Sequence, residues 1–277
     1  MSQEEILKLI EIISPHAMDY VYNSFENNNV EILYSILTDQ NKGVFIKVNS
    51  DNCCIFYASF LNEDSIDEVL EIINNEIIER ISILNSKELS FNIYGNNLKI
   101  INLVRKLGFK SDLDGYYLEY IGTKRSQLNE HILIDKGFEN SMLEEFVDLF
   151  DSSYYQLSIN NGWKTDSHDI NKEQFHQRLN NLNKCKQMRS FWLNNELVGA
   201  YIFEQNYITD IVVKPIFQNK SYGSYILAHC IRNMNVSKSI KNIRLRVAKS
   251  NVGAKKLYER NDFVEIACFA EHTVEQA

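Results

Sequence analysis

Residues 211–232 read IVVKPIFQNKSYGSYILAHCIR, and this stretch decides the fold. Its first three residues are β-branched and continuous, as in a buried strand, and Pro215 ends the strand because proline has no N–H to donate. The polar segment 218–224 predicts a tight turn. Beyond it, apolar residues recur at helical spacing as far as Met234. The stretch therefore predicts a strand, a turn and a helix in that order.

The turn at 218–224 has the chemistry of an anion site. A helix that opens on such a turn presents unpaired backbone N–H groups and the positive end of its dipole. Gly223 permits a close approach of the ligand to the backbone, and Lys220 adds a positive charge. On this stretch alone, an ordinary strand–loop–helix connection explains the pattern equally well.

A second motif follows at 243–263, IRLRVAKSNVGAKKLYERNDF. Alternating apolar residues predict a strand that ends near Ser250. A helix then carries four residues at offsets of three, three and one: Asn251, Ala254, Leu257 and Tyr258. Phe263 begins another strand.

Together the two motifs resemble the GNAT superfamily of acyl-CoA-dependent N-acetyltransferases. The family's pyrophosphate loop, Arg/Gln-x-x-Gly-x-Gly/Ala, corresponds here to Gln218, Asn219, Lys220, Ser221, Tyr222 and Gly223. The second motif, Asn-x-x-Ala-x-x-Leu-Tyr-x-x-x-Gly-Phe, corresponds to the helix from Asn251 and to Phe263. Two glycines of the family pattern are replaced, by Ser221 and Asp262. Aspartate at a helix C-terminus can also adopt the left-handed conformation.

The resemblance implies an α/β fold with two tandem GNAT-like domains, each a mixed, mostly antiparallel central sheet flanked by helices. It implies acetyl-CoA as co-substrate. The cofactor-binding residues that it implies are Val212, Val213, the loop Gln218–Ser224 (Gln218, Asn219, Lys220, Ser221, Tyr222, Gly223 and Ser224) and Asn251. Asn251 either caps its helix or binds the pantetheine arm, and the residue type fits both roles.

Acetyl transfer also needs an acid for the departing thiolate and a base for the amine. Tyr258 is the candidate acid, because a phenol is protonated at neutral pH. Glu204 and Asp210 are the candidate bases, although either carboxylate fits a solvated strand residue as well. A packed tyrosine is the alternative for Tyr258.

The acceptor-binding segment is expected at 151–172, which shows no sustained period and is aromatic and acidic. Its candidate substrate-binding residues are Tyr154, Tyr155, Trp163 and Asp166, and Asp169 could also recruit an ammonium group. A long solvated loop is the alternative interpretation.

The chain contains an internal repeat. The sequence NLKIINLVRKLGF at 97–109 places Asn97, Val104 and Gly108 at the offsets of Asn251, Tyr258 and Asp262. We therefore predict a degenerate GNAT-like domain at 1–122, a linker at 123–130 and a catalytic GNAT domain at 131–277. In the first domain we predict strands at 31–37, 43–49, 53–60, 89–94 and 115–121, and helices at 64–85 and 97–107.

Composition narrows the class of function. The net charge of −8 is concentrated in residues 1–124, which hold 10 Lys+Arg and 19 Asp+Glu, whereas residues 125–277 hold 19 and 18. An acidic chain of this kind is not expected to bind nucleic acid. Five scattered cysteines and six histidines without ligand spacing predict no metal, and a cytoplasmic protein without a membrane span. A monomer or weak dimer is expected.

The preferred function is acetyl transfer from acetyl-CoA to a primary amine of a small molecule, through a direct ternary complex. Two alternatives remain open. One is a module that binds or senses CoA and does no chemistry, favoured by the two lost glycines. The other is acetylation of a peptide N-terminus.

Overall fold

The protein is described by a computed structural model covering residues 1–50, 53–64, 66–83, 88–122, 133–236 and 242–274. The predicted linker at 123–130 lies outside the described residues. The chain divides into two compact units. Unit 1 comprises Met1–Tyr117 and Glu265–Ala277, and unit 2 comprises Leu118–Val264.

The elements are as follows in chain order: α1 (Gln3–Glu11), α2 (Pro15–Glu26), β1 (Val30–Leu37), β2 (Lys42–Asn49), β3 (Cys53–Phe60), α3 (Asp67–Ile83), β4 (Glu88–Tyr94), α4 (Leu98–Lys106), β5 (Lys110–Tyr120), β6 (Ile134–Lys136), α5 (Leu143–Asn161), α6 (Ser167–Ile170), α7 (Lys172–Lys184), β7 (Met188–Leu193), β8 (Glu196–Glu204), β9 (Tyr207–Val213), α8 (Tyr222–Val236), β10 (Arg244–Ala248), α9 (Val252–Glu259) and β11 (Phe263–Thr273). Short 3₁₀ turns precede α5 and α8. None of these described helices is long and apolar enough to cross a membrane.

Unit 1 is built on a mixed sheet with strand order β1-β2-β3-β4-β11-β5. Strands β1, β2 and β3 pair antiparallel, β4 runs parallel to β3, and β11 runs antiparallel to β4. Three parallel-stacked rings, those of Phe45, Phe56 and Phe91, lie at the centre of its core with centroids 5.5–5.7 Å apart. Burial of large aromatic side chains of this kind supplies much of the driving force for folding.

Unit 2 contains a mixed sheet with strand order β10-β9-β8-β7-β6. From β6 to β9 each strand pairs antiparallel with the next strand along the chain, and β10 runs parallel to β9. On one face, α5 and α7 contribute Phe146, Phe150 and Phe175 to a core that also holds Ile202 and Val212 from the sheet. On the other face, α8 contacts β8 and β9.

Both units repeat one arrangement: three antiparallel strands, a helix, a parallel strand and a second helix. The predicted α/β class with a mixed sheet flanked by helices is confirmed. In the first half, the predicted elements match the observed ones within a few residues, except that β5 begins at Lys110. The predicted domain bounds stay predictions; the compact units divide the chain between Tyr117 and Leu118, and the residues from Glu265 onward lie in unit 1.

The expectation of an aperiodic segment at 151–172 is wrong. Helix α5 continues through this region to Asn161, and Gly162 ends it in the left-handed conformation (φ 71°). The short helix α6 and the start of α7 follow. The helical spacing of Leu149, Ser153 and Leu157 continues beyond Phe150, but polar residues such as Asp151, Ser152 and Gln156 stand between them, which hid the period.

His272 is a buried, neutral imidazole in unit 1. Arg105 Nε donates to His272 Nε2 at 3.0 Å, and since a guanidinium only donates, Nε2 must be the unprotonated acceptor. The side chain is 1% exposed. Burial, and secondarily the Arg105 charge, lower the pKa of His272 from 6.5 to about 4.

This histidine predicts an acid-sensitive fold. Below pH 6.5 His272 is protonated in the unfolded chain, whereas in the folded chain it stays neutral until the pH approaches 4. The free energy of unfolding therefore falls as the pH is lowered through this window. Over the whole window this histidine lowers the free energy of unfolding by roughly 3 kcal/mol. Urea titrations at pH 7 and pH 4 should show that His272→Gln loses less unfolding free energy than the wild type. His176→Gln, at a half-buried histidine, serves as the control, and equal losses in all three proteins would contradict the prediction.

Candidate functional site

Strands β9 and β10 separate after a short paired start. Among the described residues, their parallel register covers Tyr207 and Ile208, which pair with Arg244 and Leu245. Both strands continue beyond this point, β9 to Val213 and β10 to Ala248. A cavity of about 680 Å³ lies where they diverge. The opening therefore leaves backbone groups of β9 available to a ligand rather than to a neighbouring strand.

Three walls enclose this cavity. One is a face of α5 that includes Ser153, Tyr154 and Leu157, the second is the end of β9 with the following loop, and the third runs along α9 from Asn251 to Asn261. Apart from Tyr154, the α5 residues of this wall were not among the predicted site residues, and neither were Ser250, Arg260 and Asn261. The α5 residues that line the cavity recur at three- and four-residue spacing. This helical period is the signal in the sequence that could have revealed them.

The loop before α8 has the backbone conformation of an anion site. Asn219 (φ 60°) and Ser221 (φ 66°) both adopt the left-handed region, and α8 begins at Tyr222. The helical ladder starts with Tyr225 N–H, which donates to Ser221 O at 3.1 Å. The N–H groups of Tyr222, Gly223 and Ser224 therefore lie before the first hydrogen bond of the helix. Ser221, Gly223 and Ser224 also line the cavity.

Ser221 occupies the position of the family's first glycine in a conformation that suits glycine better. A left-handed residue with a Cβ costs about 1–2 kcal/mol. We expect Ser221→Gly to raise the unfolding free energy by roughly 0.5–1 kcal/mol after the entropy of the freer glycine is subtracted. The control is Lys220→Gly, because Lys220, unlike Ser221, has a negative φ. Denaturant titration without ligand measures both, and a loss of stability in Ser221→Gly would contradict the assignment of strain.

Gly223 lies where α8 approaches α9. A Cβ placed on it would be 3.2 Å from Leu257 Cδ2 and 3.9 Å from Val213 Cγ2. Nearby, Asn261 Nδ2 donates to Ser224 Oγ at 3.2 Å. The space at the start of α8 therefore accepts a glycine but constrains any larger side chain.

Two predicted ligand groups have structural partners. Asn251 Oδ1 accepts from Ala254 N–H at 3.1 Å, so this residue caps α9, as one of its two proposed roles requires. The Gln218 amide Nε2 donates to Val213 O at 2.9 Å, and Ser153 Oγ donates to the same oxygen at 3.1 Å. Gln218 therefore fixes the loop to the end of β9.

Asp210 lies on the α5 face of β9, together with the buried Val212. Tyr154 Oη donates to Asp210 Oδ1 at 2.8 Å, and the carboxylate side chain is 14% exposed. Burial raises the pKa of Tyr154 well above its usual value, and Asp210 adds to this effect. Tyr154 therefore links the cavity wall, of which it is part, to Asp210, which is not among the described lining residues.

Tyr258 lies behind this wall. It is 8% exposed, its ring centroid is 5.8 Å from that of Phe263, and it is not among the described residues that line the cavity. Burial raises the pKa of Tyr258, and the Asp210 charge adds to the effect, so phenol and carboxylate are close enough to interact. The structure therefore brings Tyr154, Asp210 and Tyr258 into one group.

Glu204 forms an ion pair with Arg178. Arg178 Nη2 donates to Glu204 Oε1 at 3.0 Å and lies 3.7 Å from Asp210 Oδ2. Both Arg178 and Glu204 are about two-fifths exposed, with side-chain values of 41% and 45%. Arg178 therefore pairs with both carboxylates, and Asp210 differs from Glu204 in being less exposed and in accepting from Tyr154.

The predicted acceptor residues separate into two groups. Tyr154 lines the cavity, whereas Tyr155 and Trp163 are 53% and 38% exposed and do not line it. Asp166 precedes α6 and is exposed. The roles of Tyr155, Trp163 and Asp166 stay predictions. Among the described residues, no cluster of three or more side chains suited to a metal ion is found.

Comparison with protein families matches residues 151–273 to the family described as "Acetyltransferase (GNAT) domain". Three solved structures share the fold at low identity. A GCN5-related N-acetyltransferase from Sphaerobacter thermophilus is 11% identical, with a TM-score of 0.56 over 97% of this chain and 91% of that chain. A functionally unknown conserved protein from Staphylococcus epidermidis is 15% identical, with a TM-score of 0.54 over 88% and 94%.

The third structure, a GNAT-family acetyltransferase from Colwellia psychrerythraea, is 14% identical, with a TM-score of 0.51 over 87% of this chain and 84% of that chain. At these identities the likeness concerns the fold alone. No curated protein matches the sequence at a significant level.

Proposed function

We propose that this chain transfers an acetyl group from acetyl-CoA to a primary amine of a small molecule, since residues 151–273 match the family described as "Acetyltransferase (GNAT) domain". The observation that carries the proposal is the cavity between the separated strands β9 and β10, onto which the first turn of α8 opens. It combines an anion site with exposed strand backbone in one space.

The donor is held by this chain's backbone at two places. The N–H groups of Tyr222, Gly223 and Ser224 bind the pyrophosphate at the positive end of α8. The pantetheine arm extends along the open edge of β9 toward Asp210, with Asn251 at its other side. The Val213 N–H is the backbone group offered there, since Val213 O accepts from Gln218 and Ser153 and Val212 pairs with Ala200 of β8. In the reaction, a backbone N–H of β9 stabilises the oxyanion of the tetrahedral intermediate.

The reaction requires two proton transfers. The amine nitrogen attacks the thioester carbonyl carbon, the carbon–sulfur bond breaks, and the thiolate takes a proton from the Tyr258 hydroxyl. Asp210, which interacts with both phenols, accepts the proton that leaves the amine, directly or through a water molecule. Since burial raises the pKa of Tyr258, its hydroxyl stays protonated at neutral pH.

Unit 1 is proposed to be a degenerate copy that binds no CoA. Its strands β3 and β4 remain paired over six residues, from Cys53–Glu88 to Ala58–Ile93. The buried Asn97, which is the counterpart of Asn251, accepts from Phe60 N–H at 2.9 Å and donates to Phe60 O at 2.7 Å. The strand backbone that a pantetheine arm would need is therefore already satisfied.

One assay separates the enzyme from its main alternative. Free thiol released from acetyl-CoA is measured across a panel of monoamines, polyamines, amino acids, aminoglycosides and short peptides, and the acetylated product is identified by mass. The proposal expects thiol release with at least one small amine. The position of Tyr258 outside the cavity lining favours a CoA-binding module without chemistry, and tight acetyl-CoA binding with no transfer across the whole panel would support that alternative.

A further inference from the structure

The cavity of unit 2 is lined by neutral side chains with one exception. None of its described lining residues is an aspartate or glutamate, and Arg260 is the single lysine or arginine among them. The chain as a whole has an acidic excess, with 37 Asp+Glu against 29 Lys+Arg. A cavity whose lining contains no carboxylate and one guanidinium favours a ligand with an anionic group near that guanidinium.

Arg260 marks one end of the cavity. Helix α9 runs along the cavity from Asn251, and Arg260 immediately follows its last turn, about 13 Å away at 1.5 Å per residue. The neighbouring Asn261 bonds to Ser224 in the first turn of α8 at 3.2 Å. Arg260 therefore lies at the phosphate-binding end, remote from the end at which Asn251 and β10 meet.

The Arg260 side chain is available to a ligand. It is exposed, and no ion pair with it is found within the described part of the chain. The acidic residue before it, Glu259, is held by Lys255 at 2.9 Å. An unneutralised guanidinium at a cavity rim is suited to bidentate binding of a phosphate.

We propose that Arg260 binds the 3′-phosphate of CoA and makes the enzyme select CoA thioesters over thioesters that lack this phosphate. The inference rests on the proposed function. The pyrophosphate, a diester, is served by the N–H groups at the start of α8. The 3′-phosphate is a monoester with nearly two negative charges at neutral pH, and it needs a full positive charge. Arg260 is the described cavity residue that provides one.

The test compares two commercially available ligands by calorimetry, CoA and 3′-dephospho-CoA. The wild type should bind CoA about tenfold or more tightly than 3′-dephospho-CoA, in keeping with the strength of charge-assisted hydrogen bonds. Arg260→Gln should weaken CoA binding by about the same factor and leave 3′-dephospho-CoA binding unchanged. The control is Lys256→Gln, which removes an exposed charge from the same helix at a position outside the cavity lining.

The outcomes are distinct. Equal weakening of both ligands in Arg260→Gln would place this residue on the pyrophosphate and overturn the proposal. Equal affinity of the wild type for both ligands, or a Lys256→Gln effect as large as that of Arg260→Gln, would also overturn it while leaving the proposed function intact. Failure of the wild type to bind either ligand would overturn the proposed function and this inference together.

Discussion

Gly223→Val is expected to weaken acetyl-CoA binding by about 100-fold or more, which corresponds to a loss of roughly 2.7 kcal/mol. A Cβ at this position already lies 3.2 Å from Leu257 Cδ2. Valine adds two methyl groups to this Cβ, and Gly223 lines the cavity where the phosphates would meet the N–H groups of α8. Calorimetry measures the loss.

Gly223→Ala provides the graded control for this prediction. Its single methyl group requires Leu257 to move by a few tenths of an ångström, so a smaller loss of about tenfold or less is expected. Circular dichroism and denaturant titration establish that both variants are folded. If the folded variants bind acetyl-CoA as tightly as the wild type, the loop before α8 is not part of the site.

Tyr258→Phe is expected to lower turnover by about tenfold or more, with little change in acetyl-CoA affinity. Only the hydroxyl is removed, and the ring keeps its packing against Phe263. Because burial raises the pKa of this phenol, ionisation of Tyr258 should not limit the rate at neutral pH. Turnover is measured with whichever amine the acceptor panel identifies, and affinity is measured by calorimetry.

The matched comparison is Tyr154→Phe, which removes the other phenol near Asp210. This change deletes a hydrogen bond of 2.8 Å, so we expect a loss of stability of about 1 kcal/mol and a smaller effect on turnover. The reverse result, with full turnover in Tyr258→Phe and a large loss in Tyr154→Phe, would assign the acid to the residue that lines the cavity.

Local patterns in the sequence predicted the parts of the site that depend on neighbouring residues. The strand, turn and helix at 211–232 lie where their pattern places them, and Asp262 takes the left-handed conformation (φ 64°) expected of an aspartate in place of glycine. The repeat in unit 1 was visible because Asn97 and Gly108 keep the spacing of their counterparts. These features follow from short-range sterics and helical periodicity.

Features that depend on distant contacts were not predicted. Arg178, which neutralises Glu204, lies 26 residues before it, and nothing in the local pattern indicates that they meet. The continuation of α5 was hidden because one face of it lines a cavity with polar side chains instead of packing against the core. Likewise, the choice of β4 as the partner of β11 is made by long-range pairing between Tyr94 and Phe269, which hydrophobic alternation does not specify.

The most direct test of a single acetyl-CoA site in unit 2 is the stoichiometry of binding. Calorimetric titration of the whole chain with acetyl-CoA should give one site per chain, and this site should be lost in folded Gly223→Val. Unit 1 contributes nothing to the expected stoichiometry because Asn97 satisfies the backbone of Phe60. A stoichiometry of two, or a single site that survives Gly223→Val, would contradict the assignment of the cavity between β9 and β10.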